Sequence, residues 1–211
     1  MKKLFLIRVL TSFFLFADLA CANVNNQSSP QSIIIVAIQN MIKEVQSKLI
    51  KPVDIDQITT IVDKNILQYA DFLRTTRLTM GRYWNEATPY QKQLIVELFK
   101  RLFIRTYAGA IAQLRFDQKI KYLPFHFRDD DTDVVVRTII NDEKPIRLDY
   151  RLYKSPQGGW RVYDINVLGV WLIQTYQQQF KEKIKKSSID GLICLLSKRN
   201  QDLANIDKQS S

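Results

Sequence analysis

Near residue 118 the spacing of apolar residues in this chain changes from the period of a helix to the period of two of a strand, and near Gly169 it changes back. That double switch admits few architectures. Helices, then strands joined by short turns, then helices again describe an α+β domain with an antiparallel sheet covered by helices. Strands are predicted at 132–141, 144–155 and 159–167, with Asn141-Asp142-Glu143 and Pro156-Gln157-Gly158-Gly159 as hairpin turns. A fourth, from Gln118 to Phe127, contains Pro124 and belongs at an edge. In the middle strand Ile146, Leu148, Tyr150 and Leu152 share one face, while Arg147, Asp149 and Arg151 share the other. One face is apolar and one is wet.

Ahead of the sheet, Ile34, Ile38, Met41, Ile42, Val45 and Leu49 recur at helical spacing. A second helical stretch runs from about Asp56 to Met80, interrupted near Asp63-Lys64-Asn65 and ended by a turn at Gly81. Thr88-Pro89-Tyr90-Gln91 reads as a capping box with proline at the first helical position. The long helix it opens carries a stripe from Leu94 to Leu114 and is roughly 40 Å long, enough to lie across a sheet. After Gly169, Val170, Ile173, Tyr176, Phe180 and Ile184 point inward. Ser187-Ser188 breaks that helix before a short last one around Ile189 to Leu196, and residues 199–211 are expected as a polar tail.

The first 22 residues have a different character. Lys2, Lys3 and Arg8 precede an apolar run that closes on Ala20-Cys21-Ala22, the three parts of a cleavable signal peptide, and Asp18 breaks the run too soon for a membrane span. Leu19-Ala20-Cys21 also fits a lipoprotein site, although Asp18 stands where such sites usually carry an aliphatic residue. Cleavage after Ala22 makes residues 23–30 a flexible lead-in to a single domain at 31–198 and lowers the net charge from +10 to +8 by removing Lys2, Lys3, Arg8 and Asp18. Only Cys194 then remains, so a chain exported to an oxidising compartment has no internal disulfide. Its stability must come from a core.

Candidates for bond-making chemistry are few. His126 is the only histidine, and between Phe125 and Phe127 it reads as a structural strand residue. Cys194, within Leu192-Ile193-Cys194-Leu195-Leu196, reads as a buried inert thiol. Asp129, Asp130, Asp131 and Asp133 lack the glycine and closing glutamate of a calcium loop and read as a solvated turn. No phosphate loop, G-x-S-x-G or paired-cysteine motif occurs, so neither a metal site nor a cofactor is expected. The aromatics fall mainly on apolar faces beside Leu, Ile and Val, which together with export argues against a nucleic-acid partner.

Val134-Val135-Val136-Arg137-Thr138, Leu148-Asp149-Tyr150-Arg151-Leu152, Gly158-Gly159-Trp160-Arg161-Val162-Tyr163-Asp164 and Gly169-Val170 follow one another in an order that resembles the MlaC family of exported phospholipid-binding proteins. Phe180 and Ile189-Asp190-Gly191-Leu192 continue the likeness. Upstream, so do Asp71-Phe72, Gly81, Trp84, Gln91-Lys92, Phe99 and Arg105-Thr106-Tyr107-Ala108. The resemblance implies a curved antiparallel sheet of about four strands under helices, an NTF2-like cone with an apolar cavity. It also implies a periplasmic carrier with phospholipid as cargo, passing it between an outer-membrane lipoprotein complex and an inner-membrane ABC transporter, with transient membrane proximity. Face periodicity then nominates Tyr107, Ile111, Leu114, Val134, Val136, Leu148, Tyr150, Leu152, Val162, Val170 and Ile173 as the cavity lining. Two rival readings stay open. One is an enzyme on the same cone with Asp164, in alternation with Trp160 and Val162, as base; the other is a chaperone-like module that binds peptide.

Overall fold

The computed structural model describes residues 29–47, 55–112, 119–141 and 145–209. The signal peptide, most of the lead-in, Leu49, Leu114 and the turn at 142–144 lie outside the described residues. Helix α1 (Pro30–Ser47) buries Ile34, Ile38, Met41, Ile42 and Val45 of the stripe read from the sequence, and Ile33 and Ala37 beside them. Helix α2 (Ile55–Asn65) ends at a buried Asn65, whose amide donates to Ile61 O at 2.9 Å and to Glu44 Oε2 at 2.7 Å. A 3₁₀ turn at Leu67–Tyr69 leads to α3 (Phe72–Met80), capped by Asp71, whose side chain accepts from Arg74 N–H at 2.8 Å. Gly81 stops α3 at φ +57°, a left-handed value that costs glycine little. After the short α4 (Tyr83–Glu86), the capping box forms as expected: Thr88 N–H donates to Gln91 Oε1 (3.0 Å) and Gln91 N–H to Thr88 Oγ1 (3.2 Å). It opens α5 (Pro89–Ala112).

Five antiparallel strands follow: β1 (Lys119–Tyr122), β2 (Asp133–Asn141), β3 (Ile146–Lys154), β4 (Trp160–Val167) and β5 (Val170–Trp171), ordered β1-β2-β3-β4-β5 in an open sheet. The count exceeds the expected four because the chain doubles back at Leu168-Gly169, pairing Val167 with Val170 and Asn166 with Trp171. A two-residue strand is too short for alternation to reveal. The expected edge strand at Gln118 to Phe127 shortens to four residues, because Pro124 and its neighbours run as an irregular segment. His126 sits in that segment and is exposed, a correction to the structural strand residue expected. Phe125 turns inward against the sheet cluster instead.

A β-bulge changes the meaning of one residue. Arg151 lies opposite Asp164 while Leu152 lies opposite Val162, so Tyr163 is the extra residue in β4. Trp160 and Val162 before it and Ile165 after it all pack in the apolar cluster, and Asp164 is shifted to the face of Arg151. The alternation that put Asp164 with Trp160 and Val162 is thereby broken.

Helix α1 covers the apolar face of the sheet through Ile33, Ile34, Ile38 and Ile42. The long α5 does not take that place. It packs chiefly against α2, α3 and α6 (Leu172–Gln209), because its broad stripe finds apolar partners on three helices. Helix α6 is interrupted where expected, at Ser187 (φ −148°, ψ 21°) and Ser188 (φ 65°). Phe180 and Ile184 before that kink and Leu192 and Leu196 after it join Ile95 and Phe99 of α5 in one core. The residues beyond Lys198 continue the helix to Gln209 instead of trailing as a polar tail. Asn200 is buried there, donating to Leu98 O and Leu196 O, both at 2.9 Å. Cys194 is exposed rather than buried: Leu192 and Leu196, one helical turn apart, take the inward face, and the residue midway between them points away.

Candidate functional site

Six of the residues nominated from periodicity meet in one place. Val134 and Val136 from β2, Leu148, Tyr150 and Leu152 from β3 and Val162 from β4 form a continuous apolar surface with Trp160 under α1. Cross-strand register explains the gathering, since Val134 is paired with Leu152, Val136 with Tyr150 and Leu152 with Val162. Val136 and Leu152 are fully buried, whereas Leu148, Val162, Ile165, Ile120 and Tyr122 are half-buried around them. Tyr150 sits within this surface. Burial pushes its phenol up to about 12, and Thr138 Oγ1 donates to its hydroxyl at 3.5 Å.

The remaining nominees scatter. Ile111 packs with α1 and α2 beside Met41, Val45, Ile58, Ile61 and Ile104. Tyr107 closes an aromatic chain, its ring 4.9 Å from Phe103, which lies 5.8 Å from Phe72. Ile173 is half-buried, and its N–H donates to Asp164 Oδ1 at 3.0 Å. Val170 is 60% exposed and stands apart from the sheet cluster, because the β5 hairpin turns its side chain to solvent beside exposed Leu168. Leu114 lies outside the described residues. Sequence reasoning missed the α1 contribution of Ile33, Ile34, Ile38 and Ile42: the spacing of Ile34, Ile38 and Ile42 marks a helix without assigning it to the sheet, and Ile33 falls outside that stripe.

The opposite face of the sheet is not simply wet. Asp164 is 1% exposed and accepts from Ile165 N–H (3.0 Å), Ile173 N–H (3.0 Å) and Arg151 Nη1 (3.1 Å). Burial above all holds its carboxyl above the ordinary range, opposed by the Ile173 N–H, the charge of Arg151 and the Ile165 N–H. Arg151 in turn lies 3.8 Å from the ring centroid of Trp171. Asp149, also buried, pairs with Arg147 at 3.0 and 3.2 Å. The Arg74 guanidinium of α3 sits 4.0 Å from the ring centroid of Tyr153 and 4.9 Å from that of Tyr163. Tyr153 donates to Asp71 Oδ2 (2.5 Å) and Tyr163 to Asp133 Oδ2 (2.8 Å). Burial first, then the Asp133 acceptor, pushes the Tyr163 phenol up to about 12 against the pull of Arg151 and Arg74.

The aspartate run turns onto neighbouring groups. Arg128 Nε donates to Asp130 at 2.9 Å and Arg128 N–H to Asp131 Oδ2 at 2.8 Å. Among the described residues no three His, Cys, Asp or Glu side chains converge as a metal site, and no helix is long and apolar enough to cross a membrane.

Comparison with known proteins adds to this geometry. Residues 36–198 match the model of the MlaC protein family. Over 198 residues the chain is 25% identical to the "Intermembrane phospholipid transport system binding protein MlaC" of Haemophilus influenzae, covering 92% of this chain and 91% of that one. A solved structure of the phospholipid-binding protein from Ralstonia solanacearum, in complex with a phospholipid, matches at a TM-score of 0.78 and 44% identity, over 82% of this chain and 98% of that one.

Proposed function

The chain belongs to the MlaC family, and from that premise we propose that it is a periplasmic phospholipid carrier, exported by residues 1–22 and binding lipid with the domain at 31–198. It exchanges cargo with an outer-membrane lipoprotein complex at one end and an inner-membrane ABC transporter at the other. One observation carries the reading. The Ralstonia protein, 44% identical over nearly its whole length, is a phospholipid complex.

The apolar sheet surface under α1 supplies a chemistry that fits. Two acyl chains with roughly 30 methylenes hold about 24 kcal/mol of transfer free energy at ~0.8 kcal/mol per methylene, so cargo cannot cross water unprotected. An apolar enclosure brings transfer from bilayer to protein near balance, and direction then comes from the partners. The chain's own part is to shield, with Leu148, Val162 and Tyr150 toward the acyl chains and the headgroup left at the mouth. No bond has to form or break. The enzyme alternative loses its footing here, because the bulge places Asp164 on the far face, held by Arg151 and two backbone amides.

Mass spectrometry of an organic extract of the purified protein tests the proposal, and phospholipid at near-stoichiometric amount is expected. Leu148→Asp, at a half-buried position, should leave a folded protein depleted of lipid. Leu152→Asp, at a position with no exposure, should unfold it. Arg147→Gln on the opposite face should do neither. Freshly isolated wild type without lipid, or with bound peptide in its place, sinks the carrier reading. Undiminished lipid in folded Leu148→Asp removes Leu148 from the wall.

A further inference from the structure

A concavity of about 480 Å³ lies where the Gly81-Arg82 turn meets the first half of α6. None of its lining residues belongs to the apolar sheet cluster. Gln177, Lys181 and Lys185 line it from α6 at four-residue intervals, so they share one helix face, and Gln178 stands beside them. Arg82 faces them from the turn, and all five are exposed. A Cβ at Gly81 would lie 3.7 Å from the Gln177 amide, an ordinary contact, so the turn and α6 stand close together at the floor of the recess.

None of these three cations forms an ion pair among the described residues. Arg82 Nη2 donates to the phenol oxygen of Tyr83 at 3.1 Å. Glu86 lies close enough for its field to reach Arg82, and Glu182 accepts from Gln178 Nε2 at 2.5 Å. Three cations thus converge on a recess. A solvated helix face spreads its lysines outward, where like charges one turn apart repel least through water. Here the recess collects them.

We propose that this basic concavity docks an acidic segment of a partner protein, and that the lipid site plays no part in the contact. Shape decides among anionic occupants. A bilayer surface is flat and reaches only the rim, whereas cations carried on two facing elements, Lys181 and Lys185 on α6 and Arg82 on the turn, suit several anionic groups held on one protruding chain. A protruding chain with two or three carboxylates spans them, and the Gln177 and Gln178 amides can meet its backbone.

The test uses lipid-loaded protein and a fluorescein-labelled hexaglutamate peptide, followed by anisotropy at low salt and by amide chemical-shift mapping. Shifts should cluster at Gly81, Arg82, Gln177 and Gln178. Lys181→Gln with Lys185→Gln should weaken binding about tenfold, while Lys121→Gln with Lys198→Gln, equal in charge and remote, should change it less than about twofold. Equal weakening by both pairs overturns the proposal in favour of net charge alone. Displacement of the peptide by millimolar inorganic phosphate, or binding of phosphatidylglycerol vesicles through the same lysines without peptide binding, also overturns it. Phospholipid content should stay unchanged in both variants. Its loss in the Lys181/Lys185 pair would join the recess to the lipid site and end the claim of independence.

Discussion

Asp164 offers a quantitative check on what the bulge does. Asp164→Ala removes the acceptor of two backbone N–H groups and of Arg151. A buried amide left without a partner costs about 1–3 kcal/mol. The Arg151 side chain is 38% exposed and regains water, so its lost ion pair adds only about 0–1 kcal/mol. The expected destabilisation is about 3 kcal/mol, or about 6–12 °C in Tm for a domain this size. Asp164→Asn keeps the oxygen that serves both amides and should cost about 1 kcal/mol. Thermal melts of the two variants, with co-purified phospholipid quantified, make the comparison. Equal losses in Tm, or a shift under about 3 °C for alanine, would refute the assignment of Oδ1 as a backbone clasp. Lipid missing from folded Asp164→Asn would refute its exclusion from the apolar face. The pH dependence has a definite sign. Because its folded-state pKa is raised, the native protein binds that proton more tightly than the unfolded chain, and this group's contribution to stability falls as pH rises from the ordinary carboxylate range through the folded value. The stability advantage of wild type over Asp164→Asn should therefore shrink with rising pH across that window; a growing advantage contradicts it.

Three further outcomes follow from local geometry. Cys194 should label with a maleimide in native protein as fast as in denaturant, and Cys194→Ala should change Tm by less than about 2 °C, since the thiol is exposed. Gly191→Ala should destabilise by about 1–2 kcal/mol despite alanine's better helix propensity, because the added methyl overlaps Ser187 Cβ at the kink; a raised Tm would show that the kink relaxes freely. Thr88→Ala should cost about 1 kcal/mol by opening the capping box, measured by urea unfolding, and Thr88→Ser should restore most of it.

What the sequence disclosed was local and periodic. The capping box at Thr88, the stop at Gly81, the break at Ser187-Ser188 and three central strands were legible because each is set by neighbouring residues. The gathering of Val134, Val136, Leu148, Tyr150, Leu152 and Val162 was legible for the same reason: two-residue alternation fixes a face, and short hairpins fix the register. What failed depended on tertiary choice. Nothing in α5 states that its stripe will meet α2, α3 and α6 while α1 takes the sheet. Nothing in Trp160 to Asp164 marks Tyr163 as an extra residue, and that single insertion carried Asp164 to the other face. Cys194 and His126 were misplaced because apolar neighbours in sequence are not neighbours in space: Leu192 and Leu196 turn in where Cys194 cannot, and Phe125 turns in where His126 does not.

The ends of the sheet bear on how the molecule behaves in a crowd of its own copies. An open sheet exposes unpaired backbone groups at its margins, and a long flat margin is a template on which another chain can grow. Here β1 has only four residues, with Lys119 and Lys121 both exposed, and Pro124 follows within a few positions. At the other margin β5 covers the end of β4, and Asp71 N–H reaches Val162 O at 2.8 Å where β5 does not extend. Two copies brought together at β1 would set lysine against lysine along a ledge about 13 Å long. Strand-by-strand polymerisation is therefore blocked at both ends by different means, charge and brevity at one and occupancy at the other, and the greasy side of the sheet stays folded into its own molecule.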